Sequence, residues 1–382
     1  MKLPPSRSQK ICHPVGKVLI VTLLALLGSG AAQAIQPPPQ YQLVILPPPS
    51  GSLNSHAEDV NNAGVVTGRT WAGSQDSNAL SVFWNSTGTT TPLPISNSGA
   101  NALNDSGHVA GGISGGGGFG HGYFYDGATV QDTHTATLNS VGGFSVAADL
   151  NNADQIAGWV ANGGAGPPSA YVWQNGTAVL LGTLGGSTSS AFAINNQGQI
   201  SGTADTSNQN SRAFIWRDVN GNGNSDPGDM IQLADMGLSS AAYAINDLGV
   251  AAGFVLTPAF LRQPAIWSSP NTFTPLPNLP GKTQAECFDI STNGDVVGTT
   301  QGVAILWRAG QAYDLNQLIP TGRGLNLLVA SGINDAGWIV GMGLQGNFER
   351  GFLLIPVPEP GTILLAWPAL CILLRRPRRA PE

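Results

Sequence analysis

The stretch Ile194–Gly202, INNQGQISG, followed by AFIW at Ala213–Trp216, recurs with variations along the chain. Its first asparagine, Asn195, has counterparts at Asn61, Asn104, Asn151, Asn246, Ser291 and Asn334, so successive copies lie 43, 47, 44, 51, 45 and 43 residues apart. A period of about 40 to 50 residues marks a propeller or a repeat array.

Each copy reads as four short strands. Four residues before the reference asparagine stands a small side chain: Ala57, Ala100, Ala147, Ala191, Ala242, Cys287 or Ala330. A bulky apolar residue, such as Val60, Leu103 or Ile194, directly precedes it. Period-2 alternation places these two on opposite faces of the first strand. Cys287 fills an alanine slot and reads as a small buried hydrophobe.

Then comes a hairpin turn with glycine three positions after the reference (Gly64, Gly107, Gly198, Gly249, Gly294 and Gly337), where φ > 0 is expected. The third copy has Asp154 there, a residue type that tolerates this conformation. A second glycine, seven after the reference, is present in all seven copies (Gly68, Gly111, Gly158, Gly202, Gly253, Gly298 and Gly341) and predicts a backbone approach too close for a Cβ.

The third strand ends on an aromatic in most copies, with Trp84, Trp173, Trp216, Trp267 and Trp307 at one fixed position that reads as core. The fourth is Leu-rich, as in TAVLLGTL (177–184), TFTPLPNL (272–279) and QAYDLNQL (311–318). The last copy stops after FLLIP, whereas YQLVIL (41–46) precedes the first turn. Seven sets of four are complete only if this N-terminal strand joins the last set. Closure also removes exposed sheet edges. The expected fold is an all-β, seven-bladed β-propeller over residues 35–356, with a β-solenoid as the alternative. The whole chain's 51 Gly, 27 Pro and 10% charged residues suit a fold of tight turns.

The two ends differ from this body. Lys2, Arg7, Lys10 and Lys17 precede the apolar run Val18–Leu27 and the small-residue sequence Ala32-Gln33-Ala34, so residues 1–34 read as a signal peptide cleaved after Ala34. Residues 357–382 hold Pro358-Glu359-Pro360, the apolar segment Ile363–Leu374, and Arg375, Arg376, Arg378 and Arg379. Twelve apolar residues are short for a membrane span. The segment reads as a transient transmembrane anchor with its arginines on the cytoplasmic side. Between the ends, eight Arg and Lys face twenty Asp and Glu, a charge near −12 that disfavours nucleic acid as a partner. Of the three cysteines only Cys287 lies in the body, so no intrachain disulfide is expected after processing.

The C-terminal order of Pro-Glu-Pro, short hydrophobic segment and arginine cluster resembles the PEP-CTERM sorting signal of exported bacterial proteins. That resemblance implies recognition of Pro358, Glu359 and Pro360 by an exosortase; an ordinary C-terminal membrane anchor is the alternative. The repeated turn, His-Gly-Tyr at 121–123, Arg-Ala-Phe at 212–214 and LGTLGG at 181–186 resemble the HAF-type extracellular repeats of bacteria. This second resemblance spans about residues 41–356 and implies secretion and repetition, with no established chemistry.

Chemistry is sparse. The insertion DVNGNGNSDPGD, Asp218 to Asp229, places Asp218, Asn220, Asn222, Asn224 (through its carbonyl), Asp226 and Asp229 at positions one, three, five, seven, nine and twelve of a calcium-type loop, with Gly223 at the sixth. Aspartate at position twelve makes it resemble dockerin-type loops; Pro227 and the lack of flanking helices separate it from an EF-hand. The glycine run in Ser114–Tyr123 lacks the lysine and helix of a phosphate loop, and His56, His108, His121 and His134 follow no metal-binding spacing. The reading is of an exported, non-enzymatic binding or scaffold propeller at the cell surface or in an extracellular matrix, with exopolysaccharide or a surface protein as partner. A glycan lyase or hydrolase, using carboxylates across the channel, is the alternative.

Overall fold

A computed structural model describes residues 39–73, 78–114, 120–162 and 167–358. The segment ending at Ala34 and the tail from Glu359 onward lie outside the described residues. Among the described residues, seven four-stranded antiparallel sheets form a closed ring, a seven-bladed β-propeller. Blade 1 comprises Asn54–Val60, Val66–Trp71, Leu80–Trp84 and Thr90–Ser96; blade 4 comprises Gly185–Ile194, Ile200–Thr206, Ser211–Trp216 and Met230–Gln232. The other blades repeat this meander. Blade 7 takes three strands from Asn326–Ile333, Ile339–Gln345 and Phe348–Pro356, and its fourth from Tyr41–Leu46, which pairs antiparallel with the last, Tyr41 opposite Pro356 and Leu46 opposite Gly351. The ring is therefore closed by the N-terminal strand.

The first strand of each blade lines a central channel. Its glycine partner behaves as the repeat pattern requires: a Cβ on Gly202 would stand 2.1 Å from the Ser190 carbonyl oxygen and 2.8 Å from the Phe214 ring. The turn residues follow too, with Gly198 at φ 74° and Asp154 at φ 59°. The tryptophans are core: Trp84 and Trp267 are fully buried, and their indole N–H groups donate to the Pro47 and Ala234 carbonyls at 2.8 and 2.7 Å. Cys287 is buried, and burial pushes its thiol pKa up.

Two expectations need correction. The small and bulky residues of the first strand do not face opposite sides. Ala57 pairs with Gly68 and Asp59 with Thr67, a β-bulge that absorbs one residue, so Ala57 and Val60 join the same core with Val66 and Trp84. The same shift occurs in blades 2 to 7, and it turns the two residues between the small and bulky positions toward the channel. The fourth strands are also shorter than their Leu-rich segments, ending at Leu180, Pro275 and Asp314. Beyond them Leu181, Leu276 and Leu315 turn inward and are buried, which seals the outer end of blades 3, 5 and 6.

Candidate functional site

Two places gather polar side chains: the channel and a groove beside the insertion. At the turn end of the channel, each reference asparagine donates its side-chain amide to the main-chain carbonyl of its counterpart in the next blade. Asn61 reaches Asn104 at 3.0 Å, Asn151 reaches Asn195 at 3.0 Å, and Asn334 reaches back to Asn61 at 2.9 Å. Their Oδ1 atoms meanwhile accept main-chain N–H groups of their own turn, as from Val65 to Asn61 at 2.9 Å. A second ring runs one residue on, where the Asn62 N–H meets Asp105 Oδ1 at 2.9 Å and the Asp105 N–H meets Asn152 Oδ1 at 2.9 Å. Blade 6, with Ser291 and Thr292 at these positions, supplies neither side-chain amide.

Deeper in the channel the bulge presents Asp59, Asp149 and Asp289, where blades 2, 4, 5 and 7 carry Ala102, Ala193, Ala244 and Gly332. Each carboxylate bridges two blades. Asp149 accepts the Leu150 N–H on Oδ1 and the Ile194 N–H of blade 4 on Oδ2, both at 2.7 Å, and Asp59 and Asp289 repeat the pattern toward Leu103 and Ile333. Burial pushes their pKa values up, against the lowering effect of these hydrogen bonds and reinforced by nearby carboxylates, Asp105 and Glu58 for Asp59, Asp59 and Asp289 for Asp149, and Asp59 and Asp335 for Asp289. Asp59 rises to about 6, Asp289 to about 7 and Asp149 to about 8. Above them the channel wall is two-sided. Phe192, Tyr243 and Phe288 of blades 4 to 6 follow one another at ring separations of 5.1 and 6.0 Å, while Glu58, Asn101 and Ser331 stand on blades 1, 2 and 7.

The insertion sits between the third and fourth strands of blade 4, where blades 3 and 6 have the two-residue turns Asn175-Gly176 and Ala309-Gly310. It is stitched across the blade boundary: the Trp216 indole N–H donates to Ser225 Oγ at 3.1 Å, and the Ser225 hydroxyl donates to the Leu181 carbonyl of blade 3 at 2.9 Å. Trp84, Trp267 and Trp307 meet the preceding blade's chain directly, whereas here the inserted serine relays the contact.

The residues expected to hold calcium are partly brought together. Asp218 accepts the N–H groups of Gly221 and Gly223, each at 2.7 Å, and buried Asp229 accepts those of Val219 and Asp226 at 3.1 and 2.7 Å. The Asn220 and Asn222 amides converge on Asp226 Oδ2 at 2.8 and 2.7 Å, holding that carboxyl below its ordinary pKa. Asn224 uses its main-chain N–H toward Asn222 Oδ1 at 2.8 Å. Turning the two amides about their last torsion would set Asn220 and Asn222 oxygens beside the Asp226 carboxylate, a hard-cation donor set, at the cost of the N–H bonds those oxygens now accept from Asn222 and Asn224. Among the described residues no three His, Cys, Asp or Glu side chains are spaced to hold a metal ion by themselves.

Beside the loop lies a groove of about 490 Å³ between blades 3 and 4, with Val172 and Val179 on its floor and Gln155, Gln174, Gln199 and Arg217 around it. The repeat pattern does not announce this groove, although the sequence carries a signal of it. The position four after the reference holds Gln155 and Gln199 in these two blades, against Val65, His108, Val250, Asp295 and Trp338 in the others. The signature position of the HAF-type resemblance is structural: Arg212 is buried and its Nε lies 2.9 Å from Asp235 Oδ2, while His121 pairs with Asp132 at 2.8 Å.

Fold and site together define a closed β-propeller with a modified fourth blade. No family model and no curated protein matches the chain. Among solved structures, it is similar to the β-propeller domain of the Trilobed protease from Pyrococcus furiosus, described as having an open velcro topology (TM-score 0.52, 10% identity, over 80% of this chain and 98% of that one). Virginiamycin B lyase from Staphylococcus aureus (TM-score 0.48, 13% identity, 83% and 99% covered) and the BP39L lectin from Burkholderia pseudomallei (TM-score 0.46, 9% identity, 80% and 96% covered) also match. At these identities the likeness is one of fold.

Proposed function

We propose that this chain is an exported, non-enzymatic propeller that presents a binding or scaffolding surface at the cell envelope or in an extracellular polysaccharide matrix. In this reading residues 1–34 direct export and an exosortase sorts the chain at Pro358, Glu359 and Pro360. The observation that carries the non-enzymatic part is the engagement of Asp59, Asp149 and Asp289. Both oxygens of each are held by main-chain N–H groups of adjacent blades, which suits clamps better than proton-transfer groups. Export is tested by mass spectrometry of the mature chain from a host carrying an exosortase: an N-terminus at Ile35 and loss of the tail are expected. An unprocessed chain held in the cytoplasm overturns the export reading.

One observation favours the glycan lyase or hydrolase alternative. Asp59, Asp149 and Asp289 gather in one channel with pKa values raised by burial, Asp149 furthest, and perturbed carboxyls of this kind are what acid–base catalysis draws on. Release of oligosaccharides from matrix polysaccharide, abolished in Asp149→Asn, would establish that alternative and reject the non-enzymatic reading.

A further inference from the structure

We propose that the groove between blades 3 and 4 is a binding site for a neutral oligosaccharide, an inference that rests on the binding-module reading and deepens it. Its volume of about 490 Å³ falls within the range of small-ligand sites. Its donors and acceptors are mixed. Gln155 and Gln199 each use Oε1 to accept a reference asparagine amide at 2.8 Å, which fixes both side chains and leaves the Gln199 amide N–H groups to the groove. Gln174 Nε2 donates to the Ala153 carbonyl at 3.0 Å and its Oε1 accepts from Gln155 Nε2 at 3.4 Å, so that oxygen keeps one lone pair for a ligand. The positions are therefore set before any ligand arrives, which lowers the ordering cost of binding.

Arg217 distinguishes this groove further. Arg212, Arg262 and Arg308 are ion-paired, whereas the Arg217 guanidinium makes no ion pair or hydrogen bond among the described residues. It thus offers five donors beside the glutamines. Hydroxyl groups both donate and accept, matching amides and guanidinium together, and the half-buried floor of Val172 and Val179 suits the C–H face of a sugar ring. The charge near −12 over residues 35–356 works against a polyanionic glycan, which selects the neutral class. Arg217 directly precedes the insertion, which supplies one wall of the groove through Asp218 and Gly223, and the Trp216–Ser225–Leu181 relay holds that wall against blade 3. This accounts for the one long link between third and fourth strands among the described blades.

The test uses the full chain on an array of neutral and uronate-containing oligosaccharides, followed by calorimetric titration of the best neutral binder. Neutral binding is expected, weakened at least tenfold in Arg217→Ala and Gln174→Ala. In Arg323→Ala, which alters a basic residue in a different cavity, near Ile319 and Leu344, it is expected unchanged. Thermal melting of each variant shows that the fold is retained. Neutral binding that survives both groove substitutions overturns the groove assignment and leaves the binding-module reading standing. Binding confined to uronates, or to no glycan at all, overturns the proposal; the broader reading is then judged by co-sedimentation of the chain with envelope and matrix fractions.

Discussion

The side-chain amide of Asn195 donates to the main-chain carbonyl of Asn246 at 2.9 Å, one blade further around the ring. The same contact links Asn246 to Ser291 at 2.9 Å, but the serine has no amide to pass on to Asn334. Each such contact joins chain segments more than forty residues apart and satisfies a polar group in a buried turn. Ser291→Asn should complete the ring and stabilise the protein by about 1 kcal/mol, whereas Asn195→Ala, losing this bond and its own turn bonds, should cost about 2 kcal/mol. Urea midpoints decide the matter, and an unchanged or lower midpoint for Ser291→Asn rejects the ring as a stabilising device.

The glycine positions make a paired prediction. Gly202→Ala places a methyl group 2.1 Å from the Ser190 carbonyl oxygen, whereas a Cβ on Gly112 meets nothing within 4 Å. The first change should destabilise by about 2–3 kcal/mol, since main-chain atoms must move. The second should stay within about 0.5 kcal/mol. Similar losses for both would mean that the close approach is not the reason for glycine at 202.

The channel aspartates make stability depend on pH. Their ordinary pKa of 3.8 is raised in the fold to about 6, 7 and 8, chiefly by burial. Between these limits the native state holds more protons than the unfolded chain, so their contribution is full below the ordinary value and is lost as pH rises through the raised values. Asp126, lowered to about 2 by hydrogen bonds from Thr129, titrates below this window. Melting temperature should fall from about pH 5 to about pH 8.5, and less so in Asp59→Asn/Asp149→Asn/Asp289→Asn. A wild-type profile that is flat or rising excludes the mechanism.

Calcium is tested on the insertion. If Asn220, Asn222 and Asp226 turn their oxygens to a cation braced by Asp218 and Asp229, millimolar calcium should raise the melting temperature over that in chelator, and Asp218→Ala should abolish the difference. Identical wild-type curves in calcium and chelator remove the cation from the account. The Trp216–Ser225 contact then remains the main tie between the loop and the body.

The architecture was readable because each of its requirements is local and occurs seven times. Gly198 needs its turn conformation, Gly202 its close approach and Trp216 its core position wherever the copy stands. The channel was not readable, because a period-2 strand conceals a bulge: nothing in AEDVNN at 57–62 announces that Ala57 and Val60 share a face and that Asp59 points inward. The groove was half readable, through Gln155 and Gln199 departing from their counterparts, but their meeting with Val172 and Arg217 depends on how two blades pack.

The sequence by itself determined the number of blades, the strand that closes the ring and the insertion that sets INNQGQISG–AFIW apart from its copies. These follow from backbone geometry that any one repeat imposes on itself. Only the tertiary structure decided that the reference asparagines join neighbouring blades, that three aspartates clamp the channel, and that the insertion walls a groove. Each of these depends on atoms 43 to 51 residues apart, or at opposite ends of the chain, as with Asn334 and Asn61, which meet only when the ring has closed.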